Sequence, residues 1–411
     1  MRRLFARTLL TVAIVVAMLL LNVYVNQDGE YNGTMAIITA AGNMPALVTG
    51  VTNATKTADT VSLDDVITGR RQRVETMCQR FFTRTNAMLE ISGIRRANMS
   101  YCVVQKAGCT MWIRLFKYFE GQNYERGSPM TLTKYQVHYE RADLYKRYTI
   151  YNGDQFVKRS HRVMTVRHPF TRIWSAFIDK FLLPDFWFSK GTQIVRTVRP
   201  KASKKSLQCG NDVTFPEFVK YLLKIGHQRT YVNQDKHWLP ASDICDPCAF
   251  KPDIIAKHET FITDLEYTVN RIGLGNLINS FKVEDPTKFE IRDEIDYNFH
   301  IYDTFKSCLT KRELAERLWN AFILNGYILA NQTFPKELQE DKITAASFEE
   351  LVTDGRAKFT LSHEEKKAIR KRVLSTAFKE IPHSDMNRLR DLYKNDFDLF
   401  DYDPFPEFVP T

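Results

Sequence analysis

The chain has 411 residues, 44% of them hydrophobic and 12% aromatic, which excludes a disordered polymer and is ample for one large globular domain. Its 58 Lys and Arg against 48 Asp and Glu give a formal charge of +10, suited to an acidic partner, either nucleic acid or an anionic glycan. Charge does not separate the two, so the compartment must.

Arg2, Arg3 and Arg7 precede residues 9–25, an almost wholly apolar run that gives way to Asn26, Gln27 and Asp28. Basic residues before the span and an acidic one after it predict a cytoplasmic tail over residues 1–8, a transmembrane signal anchor over 9–25 and a luminal body. The competing reading is a cleaved signal peptide, but no small-x-small cleavage site follows the run. A luminal body argues against nucleic acid and for a glycan.

Residues 26–75 are poor in large apolar side chains and rich in Thr, Asn, Ala and Gly, so they read as a luminal stem. Glycosylation sequons stand at Asn32 and Asn53, with two more at Asn98 and Asn331. The basic group Arg70, Arg71 and Arg73 is assigned no role. The remaining residues, 76–411, read as the luminal domain.

Two stretches organise that domain. In the first, YCVVQKAGCTMWIRLFKY (residues 101–118), a short β-rich run enters a tight turn at Gly108 and then a helical pattern. The free N–H groups of a helix that opens near Thr110 favour an anion, Lys106 adds an ammonium, and Thr110 a hydroxyl. In the second, VMTVRHPFTRIWSAFIDKF (residues 163–181), Arg167 ends a strand and Pro169 suits the first turn of a helix. Phe170, Ile173 or Trp174, Phe177 and Phe181 fall on one buried face, and Arg172, Ser175 and Asp179 on another. Arg167 can hold a phosphate through two parallel N–H donors, with Ser175 as a neutral partner. Two such units suggest a ligand with phosphates at both ends.

Further along, the basic run Arg196, Arg199, Lys201, Lys204 and Lys205 reads as a loop able to attract an acidic polymer. After it come His237-Trp238-Leu239-Pro240, Cys245-Asp246-Pro247-Cys248, and a strand-like run ending in His258-Glu259-Thr260. Cys245 and Cys248 lack a second pair at metal spacing, so disulfides are expected, with each other or with Cys78, Cys102, Cys209 or Cys308. Seven cysteines leave one over; Cys109 is the expected free thiol, because its loop must stay open around a ligand. Residues 311–324 make an amphipathic helix, and 363–378 a second one rich in Lys and Arg.

In this order, the segments resemble the Golgi carbohydrate sulfotransferases, in the branch of the HNK-1, chondroitin and dermatan sulfotransferases. That branch carries a first motif like PKVGCTNWKR, matched by Lys106, Gly108, Cys109, Thr110, Trp112 and Arg114. Its second, RxPFxRxxSAFxxKF, is matched by Arg167, Pro169, Phe170, Arg172, Ser175, Ala176, Phe177, Lys180 and Phe181. The HW-x-P, C-x-x-C and Glu259-Thr260 follow in family order, and residues 386–402 resemble its ending. Residues 282–380 depart from it and read as helical. The resemblance implies a P-loop-like sulfotransferase fold, an α/β domain with a mostly parallel sheet flanked by helices. It also implies that the first loop, with Lys106, Ala107, Gly108, Cys109 and Thr110, holds the 5′-phosphosulfate of 3′-phosphoadenosine 5′-phosphosulfate (PAPS), that Arg167 and Ser175 hold its 3′-phosphate, and that Met111, Arg114 and Arg172 also bind this cofactor. Gln105, Met111 and Ile113 stand where the branch has Pro, Asn and Lys, whereas Lys106 is kept.

The expected chemistry is transfer of a sulfuryl group from PAPS to a sugar hydroxyl of a glycosaminoglycan such as chondroitin, with no metal, in the Golgi membrane as a single-pass type II protein. Lys106 is assigned to the bridging oxygen of the leaving phosphate. The candidates for the base are His237, Glu259 and His168, with His237 first because it lies in a matched motif. A Golgi glycosyltransferase is the competing enzyme class, with Asp396-Phe397-Asp398 and Asp401-Tyr402-Asp403 as its D-x-D signals. A catalytically inactive glycan-binding relative is the non-enzymatic alternative.

Overall fold

A five-stranded sheet in the order β3-β1-β2-β4-β5 positions everything that follows. Its strands are β1 (Ile91–Ile94), β2 (Met99–Cys102), β3 (Lys146–Tyr148), β4 (His161–Val166) and β5 (Ile254–Lys257). The structure is a computed structural model that describes residues 62–80, 91–119, 128–139, 146–148, 155–226, 235–335, 338–359 and 361–409. The apolar run 9–25, most of the expected stem and the sequons at Asn32 and Asn53 lie outside the described residues. Among the described residues, no helix is long and apolar enough to cross a membrane.

The expected sheet was mostly parallel; the observed one is evenly mixed. β2 pairs parallel with β4 and β4 with β5, while β1 pairs antiparallel with both β2 and β3. The antiparallel half comes from a hairpin: β1 turns into β2 through Arg95–Asn98, with Asn98 at φ +43°, a conformation that asparagine tolerates better than most residues. The parallel half carries the buried apolar runs expected of strands covered on both faces: Val163, Met164, Val166, Ile254 and Ile255 are almost fully buried.

The domain begins earlier than expected. Helix α1 (Leu63–Arg80) includes residues read as stem, yet it buries Ile67 and Val74. Arg70 reaches the fully buried Asp264 at 2.5 Å and donates to the Ile255 carbonyl, and Arg73 pairs with Asp401 at 2.8 Å. The basic group that had no role in the sequence therefore fastens α1 to β5 and to the chain's ending.

Three disulfides staple this frame: Cys78–Cys248, Cys102–Cys245 and Cys209–Cys308. The two cysteines of the C-x-x-C thus go to different partners, α1 and β2, and Cys109 is the free, buried thiol. Residues 311–324 and 363–379 are helical as expected, both opened by capping boxes, from Thr310 and Ser362. With the helix Pro286–Phe305 they wrap the core on Leu314, Leu318, Phe322 and Phe378. The basic run is a loop only in part. Arg196 and Lys204 lie in short helices, and Arg199 is spent on Asp212 and Glu217, each at 2.7 Å.

Candidate active site

The carboxyl ends of the three parallel strands meet along one edge, where open α/β sheets form their ligand crevices. Each end carries a loop, and the loops are tied in pairs. Arg167, after β4, donates from Nη1 to the Lys106 carbonyl after β2 at 3.2 Å. The His168 N–H donates to Glu259, after β5, at 2.9 Å. Phe261 packs under Gly108, so that a Cβ there would stand 2.5 Å from its ring. Only glycine fits that approach, and its φ of +86° independently favours glycine.

The first loop is a backbone cradle. Lys106 at φ +64° and Gly108 at +86° flank Ala107, an alternation that turns successive N–H groups toward one concavity. The helix Cys109–Phe119 then starts directly, so its first N–H groups face the same side. Trp112 anchors the helix by donating to Thr165 of β4 at 2.8 Å.

Lys106 does not stand alone. Its Nζ lies 2.7 Å from Asp179, whose carboxylate also takes Lys134 at 2.9 Å and Lys180 at 3.2 Å. Asp179 and Lys180 sit on a wide five-residue turn, Ile178–Leu182, that extends the helix Pro169–Phe177. Burial disfavours the Asp179 charge, but the three lysines overcome it and hold the carboxyl well below its usual range. Burial, with repulsion from Lys134 and Lys180, draws Lys106 below the usual lysine value against the pull of Asp179. Glu294, 2.7 Å from Lys134, completes the network and with Asp179 outweighs the burial of that lysine, raising it well above the usual range.

His237 faces this network with one nitrogen already assigned. Its Nδ1 lies 2.5 Å from Asp235 and its backbone N–H donates to the same oxygen at 2.9 Å. An N–H on Nδ1 leaves Nε2 with its lone pair, the form a base needs. Burial and the Lys180 charge lower its pKa, and the contact with Asp235 only partly restores it. The other two candidates are differently placed. His168 accepts from the Phe170 N–H at Nδ1 and meets the Asp403 carbonyl at Nε2, so both nitrogens are used and the ring caps a helix. Glu259 accepts from His168 and from Tyr402, which makes it a strut between the second loop and the chain's ending.

The remaining expected ligand residues divide sharply. Arg167 uses Nε on Thr171 and Nη1 on Lys106, which fixes the plane of its guanidinium at the crevice. Arg172 is fully buried and donates to the carbonyls of Gln105, Leu239 and Lys236, at 2.8, 2.5 and 2.8 Å. It braces the cradle against the His237 loop, with no nitrogen left uncommitted. Arg114 turns away to a two-pronged pair with Asp293 at 2.7 Å. Ser175 is half-buried, with no side-chain hydrogen bond among the described residues. Met111 packs in the apolar layer under the helix, and Ile113 packs on Leu132 and Val137. These two departures are accommodated as apolar contacts and leave the cradle intact.

Two residues at the crevice escaped the sequence reading. His138, on the helix Lys134–Tyr139, shares a hydrogen bond of 3.1 Å with Thr110. Desolvation by the surrounding groups and the charges of Lys134 and Lys180 push its pKa down, although part of the residue is exposed. His258, at the end of β5, is held well below its usual value by burial and by Arg167 and Lys106. His258 sat beside the matched Glu259-Thr260 and was legible by position; His138 had no motif to mark it.

The D-x-D signals are structural. The buried Asp396 accepts from the N–H groups of Ala241 and Ser242 at 2.7 and 2.8 Å, capping the short helix after Pro240. Asp401 pairs with Arg73, and the Asp403 carbonyl holds His168. Among the described residues, no group of three or more His, Cys, Asp or Glu is placed to hold a metal ion. The sequons at Asn98 and Asn331 are both exposed.

Comparison with known proteins agrees with this geometry. The model of the "Sulfotransferase family" matches residues 94–318, more than half of the chain, from the last residue of β1 into the helix Lys311–Leu324. "Carbohydrate sulfotransferase 8" of Mus musculus is 34% identical over 188 residues, 44% of this chain and 43% of that protein. "Carbohydrate sulfotransferase 11" of Rattus norvegicus is 28% identical over 218 residues, 50% of this chain and 61% of the relative. "Carbohydrate sulfotransferase 14" of Danio rerio is 31% identical over 245 residues, 57% and 60% of the two chains. The chain thus spans about half the length of the curated relatives it matches. No solved structure matches it. With the cradle, the lysine network and the family match in agreement, the chain belongs to the sulfotransferase family, and its relatives are carbohydrate sulfotransferases.

Proposed function

We propose that the protein transfers a sulfuryl group from PAPS to a hydroxyl of an anionic glycan, chondroitin or a related glycosaminoglycan, as a Golgi enzyme anchored by one N-terminal helix. The observation that carries this reading is the meeting of a phosphate cradle, a half-buried lysine and an oriented neutral imidazole at one edge of the sheet. PAPS is a co-substrate that supplies an activated sulfuryl group on a good leaving phosphate. The residues fit it: Gly108 holds the positive-φ turn of the cradle over Phe261, Lys106 offers an ammonium in a desolvated setting, and Arg167 a fixed guanidinium.

The residues then divide the work. The cradle 106–110 and the helix behind it hold the 5′-phosphosulfate through backbone N–H groups. Lys106 exchanges some of its contact with Asp179 for the charge that develops on the departing phosphate, where a desolvated cation acts strongly. Arg167, with Ser175, takes the 3′-phosphate, and Arg172 keeps the cradle and the His237 loop in register. His237 takes the acceptor proton at Nε2, while Asp235 holds the ring and stabilises the imidazolium that results.

Titration calorimetry with adenosine 3′,5′-bisphosphate tests the donor half directly. The full chain should bind it, and Arg167→Ala should weaken binding by about tenfold or more, because charge-assisted hydrogen bonds to phosphate are lost. A folded chain that does not bind the bisphosphate would overturn the reading.

A further inference from the structure

The helix Lys134–Tyr139 touches the donor loop through His138 and carries a second feature that sulfuryl transfer does not use. Tyr135 and Tyr139, one turn apart, stack with ring centroids 5.1 Å apart and an interplanar angle of 21°. Tyr297, from the helix Pro286–Phe305, stacks on Tyr139 at 6.4 Å and 18°, and His300 backs Tyr135 at 3.9 Å. The three tyrosines thus make an aromatic step of nearly parallel rings. Tyr139, at its outer end, is 56% exposed, an unusual state for a ring with two stacking partners.

The step is wired to the reacting centre. The Tyr139 and Tyr297 hydroxyls lie 3.2 Å apart, and Tyr297 donates to Asp185 at 3.3 Å. Asp185 in turn pairs with Lys180, which reaches Asp179 and so Lys106. Lys134, at the other end of the same short helix, stands 4.6 Å over the Tyr297 ring. A ligand lying on Tyr139 would therefore be one residue from His138 and its bond to Thr110 of the cradle.

We infer that Tyr139, supported by Tyr135 and Tyr297, is the platform on which a pyranose ring of the acceptor glycan stacks. The inference rests on the sulfotransferase reading for its occupant. A pyranose presents one face of C–H groups, apolar and weakly positive, which suits the negative face of an aromatic ring. Its edge carries hydroxyls, which meet the polar groups beside the platform, His138 and the lysine network. An acidic sugar gains further from Lys134, which stands over the Tyr297 ring behind the platform. The tyrosine hydroxyls are occupied with each other and with Asp185, so the faces of the rings, rather than their polar tips, are the recognising surface.

The test measures binding of unsulfated chondroitin, dermatan and heparosan hexasaccharides to the full chain by saturation-transfer NMR, for the wild type, Tyr139→Ala and Tyr139→Phe. The platform predicts that a bound hexasaccharide shows saturation on the C–H protons of one ring face. Tyr139→Ala should weaken that binding by about tenfold, while Tyr139→Phe stays within about twofold because stacking is kept. Adenosine 3′,5′-bisphosphate should bind all three proteins equally, which separates a lost platform from a damaged fold. Undiminished saccharide binding in Tyr139→Ala would overturn the inference, and so would failure of every hexasaccharide to bind the wild type. A saccharide bound through Tyr139 by a protein that transfers no sulfate would leave the platform standing and remove the sulfotransferase reading.

Discussion

The donor loops and the helix Lys134–Tyr139 face each other across one crevice, yet they are built in opposite ways. Each donor loop is contiguous in sequence, grows out of a parallel strand, and is locked to the next by bonds to backbone, such as Arg167 on the Lys106 carbonyl and Arg172 on Gln105. The facing helix is six residues long and is held by side chains from distant segments: Asp293 on the Lys134 N–H, Glu294 on its ammonium, and Tyr297 on Tyr139. On the proposed reading, a cradle that accepts one invariant nucleotide gains from backbone rigidity. A wall held by side chains can change its ligand by single substitutions without disturbing the cradle.

Substitutions on either side of the crevice test this contrast. The largest effect belongs to His237→Ala, which should lower kcat by about 10²–10⁴-fold with bisphosphate affinity unchanged, measured in single-turnover transfer. A fall of less than tenfold would remove His237 as the base. Lys106→Ala comes next, with a loss of about 10²–10³-fold in kcat, the usual size for removing one group that stabilises developing negative charge.

Breaking the donor side through its frame should act on stability. The Cys102–Cys245 bridge closes 143 residues and joins the strand before the cradle to the segment after His237. Cys245→Ala should cost about 2–5 kcal/mol in denaturant unfolding, and an unchanged midpoint would contradict the assigned pairing.

The pH profile sharpens the role of Asp235. Because burial and Lys180 hold His237 below the ordinary imidazole value of about 6.5, the base stays unprotonated into mild acid, and the acid limb of kcat/KM should fall below that value. Asp235 raises the His237 pKa, so Asp235→Asn should slow turnover and move the acid limb to still lower pH. A limb that moves upward would contradict the assignment. Glu294→Gln should be the mildest change, at about 1 kcal/mol or less of stability, since Asp179 still holds Lys134.

The same contrast explains what could be read from the chain alone. Lys106, Gly108, Arg167 and His237 lie in local patterns whose physical meaning, a tight turn or a helix start, does not depend on the rest of the fold. The helices expected over 311–324 and 363–378 were equally legible from their amphipathic pattern. Arg172 and Arg114 matched the motif too, but a pattern fixes a residue's place and not the direction of its side chain, and both turned to carbonyls or a carboxylate inside the protein. His138 and Tyr139 were hidden because their contacts arise only when residues 134–139 fold against Thr110 and against residues 286–305. The mixed sheet was missed for a related reason: β1 and β3 are strands of four and three residues, too short to show a period.

Radiolabelled transfer tests whether this edge of the sheet moves a sulfuryl group to a glycan. The full chain is given labelled PAPS and a panel of desulfated glycosaminoglycans, beside Lys106→Ala. Label on a sugar hydroxyl is expected with the wild type, and its loss in the variant. A folded wild-type chain that binds the bisphosphate and sulfates no glycan, or a Lys106→Ala protein that transfers as well as the wild type, would contradict it.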